Sequence, residues 1–96
     1  MHITLTNTQE TAQGRAETEK FLSDFLPRFR KYPGVKAVYS YYSKEKGEGI
    51  TITIWENEEA VKSYWNSELI NETKAFSEKS NVPITRESHP LFISLG

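Results

Sequence analysis

The sequence predicts an α+β fold in the order β-α-β-β-α-β, with an antiparallel sheet and both helices on one face. Three observations carry this. The first is the run Ile50-Thr51-Ile52-Thr53-Ile54-Trp55, whose strict two-residue alternation gives way to a helix start at Asn57-Glu58-Glu59. The second is His2-Ile3-Thr4-Leu5-Thr6, short, alternating and β-branched, the pattern of an opening strand. The third is a pair of turn signals, Tyr32-Pro33-Gly34 and Lys44-Glu45-Lys46-Gly47-Glu48-Gly49, on either side of a Val- and Tyr-rich segment.

Bulk properties narrow the class. A chain of 96 residues, read as one domain over 1–96, has an adequate but thin core that a second subunit would help to cover. The net charge of −1, with Lys and Glu interspersed, leaves no basic footprint for nucleic acid. With no cysteine there is no disulfide framework and no thiolate chemistry, which fits a cytoplasmic setting. No apolar run approaches the ~20 residues of a membrane span, and no signal-peptide pattern opens the chain.

After the first strand, Asn7 followed by Glu10 has the form of a helix N-cap with its capping box. Gly14 weakens that start by up to ~1 kcal/mol relative to Ala, so the firm helix is expected over 16–30. Phe21, Leu22, Phe25, Leu26 and Phe29 form one apolar stripe along it. Pro27 inside the stripe should bend the helix or tighten its last turn.

The second strand is expected over 35–43 and the third over 50–55, joined as a hairpin. Asn57 is a good N-cap, and Glu58 and Glu59 place negative charge at the positive end of the helix dipole. The second helix carries Val61, Trp65, Leu69, Thr73 and Phe76 as its stripe, and Asn66-Ser67-Glu68 is a candidate break and re-cap. A fourth strand is expected over 84–95, kinked at His89-Pro90 because proline in a strand implies an edge or a bulge. The whole order is the ferredoxin-like arrangement.

Strand parity divides the sheet into two faces. Ile3, Leu5, Ile50, Ile52, Ile54, Leu91, Ile93 and Leu95 form an aliphatic set, expected to lie under the helices. Thr4, Thr6, Thr51, Thr53, Trp55 and Phe92 fall on the other side, where Trp55 and Phe92 are expected at a sheet-to-sheet homodimer interface.

The turn Tyr32-Pro33-Gly34-Val35, the junction from Ile52 through Trp55 to Val61, and the segment Tyr64-Trp65-Asn66-Ser67-Glu68-Leu69 resemble the dimeric α/β-barrel proteins of the antibiotic-biosynthesis-monooxygenase type. The resemblance implies a homodimeric barrel with a pocket between helices and sheet in each subunit. It also implies oxidation of an aromatic or quinol substrate by O₂ without metal or flavin, since the substrate itself donates the electron. A related branch binds and degrades haem, using an asparagine that ends strand one, a tryptophan on helix two and a histidine further along it. Asn7 matches the first position and Tyr64, with Trp65 beside it, the second. The third falls near Lys74, and the only histidines of the chain are His2 and His89, so haem ranks behind the cofactor-free reading.

Asn7 and Tyr64 are therefore the candidate catalytic residues, although Asn7 reads equally as a helix cap. Tyr64 and Trp65 point about 100° apart around the helix, so they cannot face the same way. Trp65 shares the apolar stripe and Tyr64 is the better pocket residue. Phe25, Trp65, Tyr41 and His89 complete the expected binding set for a small aromatic or apolar ligand, with Tyr41 and His89 also readable as packing and surface residues. Arg86 has the opposite parity to His89 and suits either an acidic ligand or a surface Glu. Neither a nucleophile–base pair nor a metal-ligand spacing is present in the sequence, so no metal is assigned.

Overall fold

The computed structural model describes residues 1–95. Its elements are β1 (His2–Gln9), α1 (Ala12–Arg30), β2 (Val35–Ser43), β3 (Glu48–Trp55), α2 (Glu58–Trp65), α3 (Leu69–Ser80) and β4 (Ile84–Pro90). The four strands form one antiparallel sheet in the order β2-β3-β1-β4, which is the ferredoxin-like arrangement with its second helix in two pieces.

β1 is central and longer than its alternating run suggests. Asn7 pairs with Ile50 on one side and Thr85 on the other, so its backbone is satisfied as strand. This corrects the capping assignment: the N-cap of α1 is Thr11, whose Oγ1 accepts from the Gly14 amide at 3.0 Å. Glu10 is turned inward instead, its carboxylate fully covered. α1 then begins a turn earlier than expected and runs through Pro27. Its end tightens, with Lys31 N–H bonding back to the Arg28 carbonyl at 3.2 Å and Tyr32 N–H to that of Phe29 at 2.9 Å. Gly34 follows at φ +92°, where a Cβ would overlap that of Ala60, so both backbone and space require glycine in this turn.

Asn57 caps α2 as expected, its Oδ1 accepting from the Ala60 amide at 2.9 Å. The break at 66–68 also forms. Asn66 Nδ2 and Ser67 Oγ donate to the carbonyls of Lys62 and Tyr64, at 2.9 and 2.6 Å, so they close α2 rather than cap α3. Because the helix is interrupted, its buried stripe is Val61 and Tyr64, then Ile70 and Thr73, not the one that passes through Trp65.

The largest departure is which face of the sheet the helices cover. Thr4, Thr53 and Trp55 are buried beneath them, and Trp55, at 1% exposure, belongs to the core cluster with Phe25, Phe29, Val61 and Tyr64. The isoleucines of β3, with Ile3 and Leu5, lie on the open face. Trp55 is thus no surface aromatic, and its expected place at a sheet-to-sheet interface is corrected. β4 ends at Pro90, so Leu91, Ile93 and Leu95 do not continue the sheet under the helices; Phe92 follows the strand and is 95% exposed.

The reason is volume. α1 presents Phe21, Phe25 and Phe29, and α3 adds Phe76, stacked on Phe21 at 4.4 Å between ring centroids. A layer of phenyl rings fits over a floor of threonines, whereas isoleucines there would overfill the space. An ion pair holds the roof together: Arg28 forks onto Glu72 with two bonds of 2.7 Å, joining α1 to α3.

Candidate functional site

Between the roof and the floor lies a cavity of about 60 Å³. At the ~10–15 Å³ of this measure that one water occupies, it has the space of a few waters or one small ring. Thr4, Thr6 and Thr8 of β1 and Thr51 and Thr53 of β3 make its floor, placed side by side by the antiparallel register. Period-two alternation puts them on one face, and the short hydroxylated side chains leave the gap. Phe21, Phe25 and Phe29 form its roof, so the Phe25 assignment falls in the cavity wall.

Tyr64 lines the cavity from α2 and is 5% exposed. Its ring packs against Phe29 at 4.9 Å and against Trp55 at 5.6 Å, which fixes its direction. Its hydroxyl makes no hydrogen bond to any described residue. Burial pushes the Tyr64 phenol up to about 12, so it is a neutral donor at physiological pH. Trp65 borders the same cavity from the rim and is 40% exposed, more open than a core residue.

Gly49 lines one end of the cavity, and the space a Cβ would take there is filled by Glu10, Thr8 and Arg15, with Glu10 and Arg15 lying behind the lining. Glu10 accepts there from Arg15 Nη1 at 3.0 Å and from Thr8 Oγ1 at 2.9 Å, and the Arg15 guanidinium stacks over Tyr42 at 4.8 Å. That buried pair is closed upon itself. At the other side stands Arg86 of β4, opposite Thr6 in the register, half-buried and lining the cavity. Its Nη2 donates to Thr73 Oγ1 at 2.8 Å. Burial pulls the Arg86 guanidinium below its ordinary value, and the neighbouring Tyr64 works weakly the other way.

Other expected site residues fall elsewhere. Asn7 and Tyr41 border an open hollow of about 340 Å³ with Leu5 and Ile50, and Arg86 and Glu87 lie at its edge. Asn7 and Tyr64 thus lie on opposite faces of the sheet. His89 pairs with Ile3 in the register, also on the open side, exposed and 3.2 Å from Glu87. Arg86, noted from the sequence as suiting an acidic ligand, and Thr73, noted in the helical stripe, both line the cavity, whereas Thr4, Thr6, Thr51, Thr53 and Trp55 line it although they were expected on the uncovered face. Once the threonine face is known to be the covered one, parity along β4 assigns Arg86 to it.

Haem does not suit this site. Among the described residues no histidine lines the cavity, and the position where the haem-binding pattern has one falls near Lys74. Tyr64 would ligate iron as a tyrosinate, which its raised pKa opposes.

No family model matches the sequence, and none of the curated proteins is similar to it. Compared as a structure, the chain has the fold of antibiotic-biosynthesis-monooxygenase-type proteins. A candidate antibiotic biosynthesis monooxygenase from Deinococcus radiodurans superposes with a TM-score of 0.86 at 14% identity, covering 100% of this chain and 97% of that one. SnoaB, a cofactor-independent oxygenase from Streptomyces nogalater, gives a TM-score of 0.77 at 14% identity, over 98% and 96% of the two chains. MhuD, a haem degrader from Mycobacterium tuberculosis with two haems bound in its active site, gives 0.79 at 15% identity over 100% of both. At these identities the likeness is one of fold.

Proposed function

We propose that this protein is a cytoplasmic homodimer that binds a small electron-rich aromatic or quinol between helices and sheet and oxygenates it without a cofactor. The observation that carries this is the cavity itself: phenyl rings above, threonine hydroxyls below, and one neutral, unbonded phenol, Tyr64, aimed between them. Such a lining suits a flat apolar ligand held by a few polar contacts. Similarity in fold to a cofactor-independent oxygenase supports the chemistry.

The lining also limits that chemistry. Among the described residues no carboxylate or histidine borders the cavity. A substrate must then supply its own acidity, as quinols do, and donate electrons directly to O₂. For a single-ring quinol, a ring C–H becomes C–OH as the ring is oxidised to the quinone, one oxygen atom is retained, and the other leaves as water. Tyr64 holds the substrate oxygen by hydrogen bonding, and the phenyl roof shields it from bulk water. The same lack of a base favours a second reading, ligand binding without turnover.

The homodimer rests on the open face. Ile3, Leu5, Ile50, Ile52 and Ile54 lie there beside Tyr39 and Tyr41, which are 64% and 53% exposed. An aliphatic sheet face of this kind is a partner surface by its chemistry, and the same surface of a second chain would cover it.

Oxygen uptake with a panel of quinols and anthrones tests the reaction. Consumption above buffer, lowered in Tyr64→Phe, is the expected result. A rate equal to buffer for every compound, with binding retained, leaves the second reading in place of the first.

A further inference from the structure

We infer that the ligand this cavity takes carries a carboxylate, anchored by Arg86, so that the site is one for a small aromatic acid. The inference rests on the pocket reading above and adds the polar end of the ligand to it. It starts from unequal treatment of the arginines. Arg15 is paired with Glu10 and Glu19, and Arg28 with Asp24 and Glu72. Arg30 donates to the Val35 carbonyl at 3.0 Å. Arg86 is half-buried and lines the cavity, yet among the described residues no carboxylate lies within ion-pairing distance of it.

Its single protein partner is fixed in place. Thr73 donates its own proton to the Ile70 carbonyl at 2.6 Å, so its oxygen can only accept from Arg86 Nη2. That bond steadies the guanidinium without neutralising it, and several of its five N–H donors remain free. The charges around it do not fill the gap. Tyr64 is neutral, and Glu72, whose charge is felt at that phenol, is held by both bonds of the Arg28 fork. Glu78 borders an outer hollow that Arg86 shares and Glu87 the hollow on the open face, and among the described residues neither forms an ion pair with Arg86, while Lys74 in the outer hollow adds positive charge.

A cation half removed from water and left without a counter-charge is costly, and an anionic ligand removes that cost. The planar fork matches two oxygens of one group better than a single point charge does. The Thr6 hydroxyl, facing Arg86 in the register, and the Tyr64 hydroxyl make no side-chain hydrogen bonds among the described residues and remain as further donors. The space of about one ring sets the size of the rest of the molecule.

The test is calorimetric titration of the whole chain with benzoate, benzamide and 4-nitrophenolate, repeated on Arg86→Gln and Arg86→Lys. Benzoate should bind at least about tenfold tighter than benzamide, as a charge-assisted bidentate pair predicts. That ratio should fall towards one in Arg86→Gln and be partly restored in Arg86→Lys, with benzamide affinity little changed. Equal binding of benzoate and benzamide to the unaltered chain would overturn the carboxylate and leave the pocket intact. An unchanged ratio in Arg86→Gln would move the anion away from Arg86. Tighter binding of 4-nitrophenolate than of benzoate would replace the carboxylate by a phenolate. Binding of none of the three would remove the pocket reading itself. Should Arg86→Gln not fold, the benzoate-to-benzamide ratio of the unaltered chain still decides the question.

Discussion

Trp55 Nε1 donates a 3.0 Å hydrogen bond to Thr4 Oγ1, from β3 to β1, beneath the helices. The bond is buried at both ends, and it shows why a threonine face can serve as the core face here: its hydroxyls satisfy an indole that packs among the phenyl rings. Thr4→Val keeps the shape and removes the acceptor. The orphaned indole N–H should cost about 1–3 kcal/mol in a urea titration. No loss of stability would mean that the indole finds another partner.

Asn57→Ala and Tyr64→Phe should behave oppositely. The first removes the α2 cap and should lower stability by about 1 kcal/mol while leaving ligand affinity unchanged. The second removes a hydroxyl with no partner among the described residues, so its thermal shift should be small while binding and turnover fall. Equal thermal shifts with unaltered binding would take Tyr64 out of the site.

Alkaline pH should weaken the fold through Tyr64. Its phenol ionises near 10.0 when unfolded and at about 12 in the native chain, because burial disfavours the phenolate. Between those values the unfolded chain has released a proton that the folded chain still holds, so stability falls as pH rises. The contribution is complete below pH 10.0 and is lost by about pH 12. Denaturant midpoints measured across that interval should fall less steeply in Tyr64→Phe than in the unaltered chain.

Ile52 stands at the centre of the open face, between Leu5 and Tyr39 in the register. Sedimentation at micromolar concentration should give a dimer for the natural sequence and a monomer for Ile52→Glu, with circular dichroism unchanged. A monomeric natural chain would end the homodimer proposal.

Haemin added up to tens of micromolar should leave the Soret band unshifted, since among the described residues no histidine borders the cavity and Tyr64 resists ionisation. A shifted band that survives Tyr64→Phe would require an iron ligand outside this cavity.

Much of the fold was legible in the residues. The alternation through Ile50 and Trp55, the Asn57 cap, the Gly34 turn and the break at Asn66-Ser67-Glu68 all stand where local chemistry puts them, because caps and turns are decided within a few residues. Asn7 misled because Asn followed by Glu has the form of a capping box in any context. Whether it caps a helix depends on whether β3 and β4 pair with it, and they do. Tyr64 was singled out by the family resemblance and by its angle to Trp65, whereas the placing of Tyr41, Asn7 and His89 depended on the face of the sheet.

The sequence by itself determined the elements, their order, and the division of the sheet into an aliphatic and a threonine face. Only the tertiary structure decided which of the two the helices cover. Parity sorts side chains into two sets without saying where a helix will dock. Docking is settled by the volume of the phenyl rings on α1 and α3, which fit over threonines and leave a cavity. From that one choice follow the burial of Trp55, the turning of Arg86 inward beside Thr73, and the placing of the β3 isoleucines on the open face.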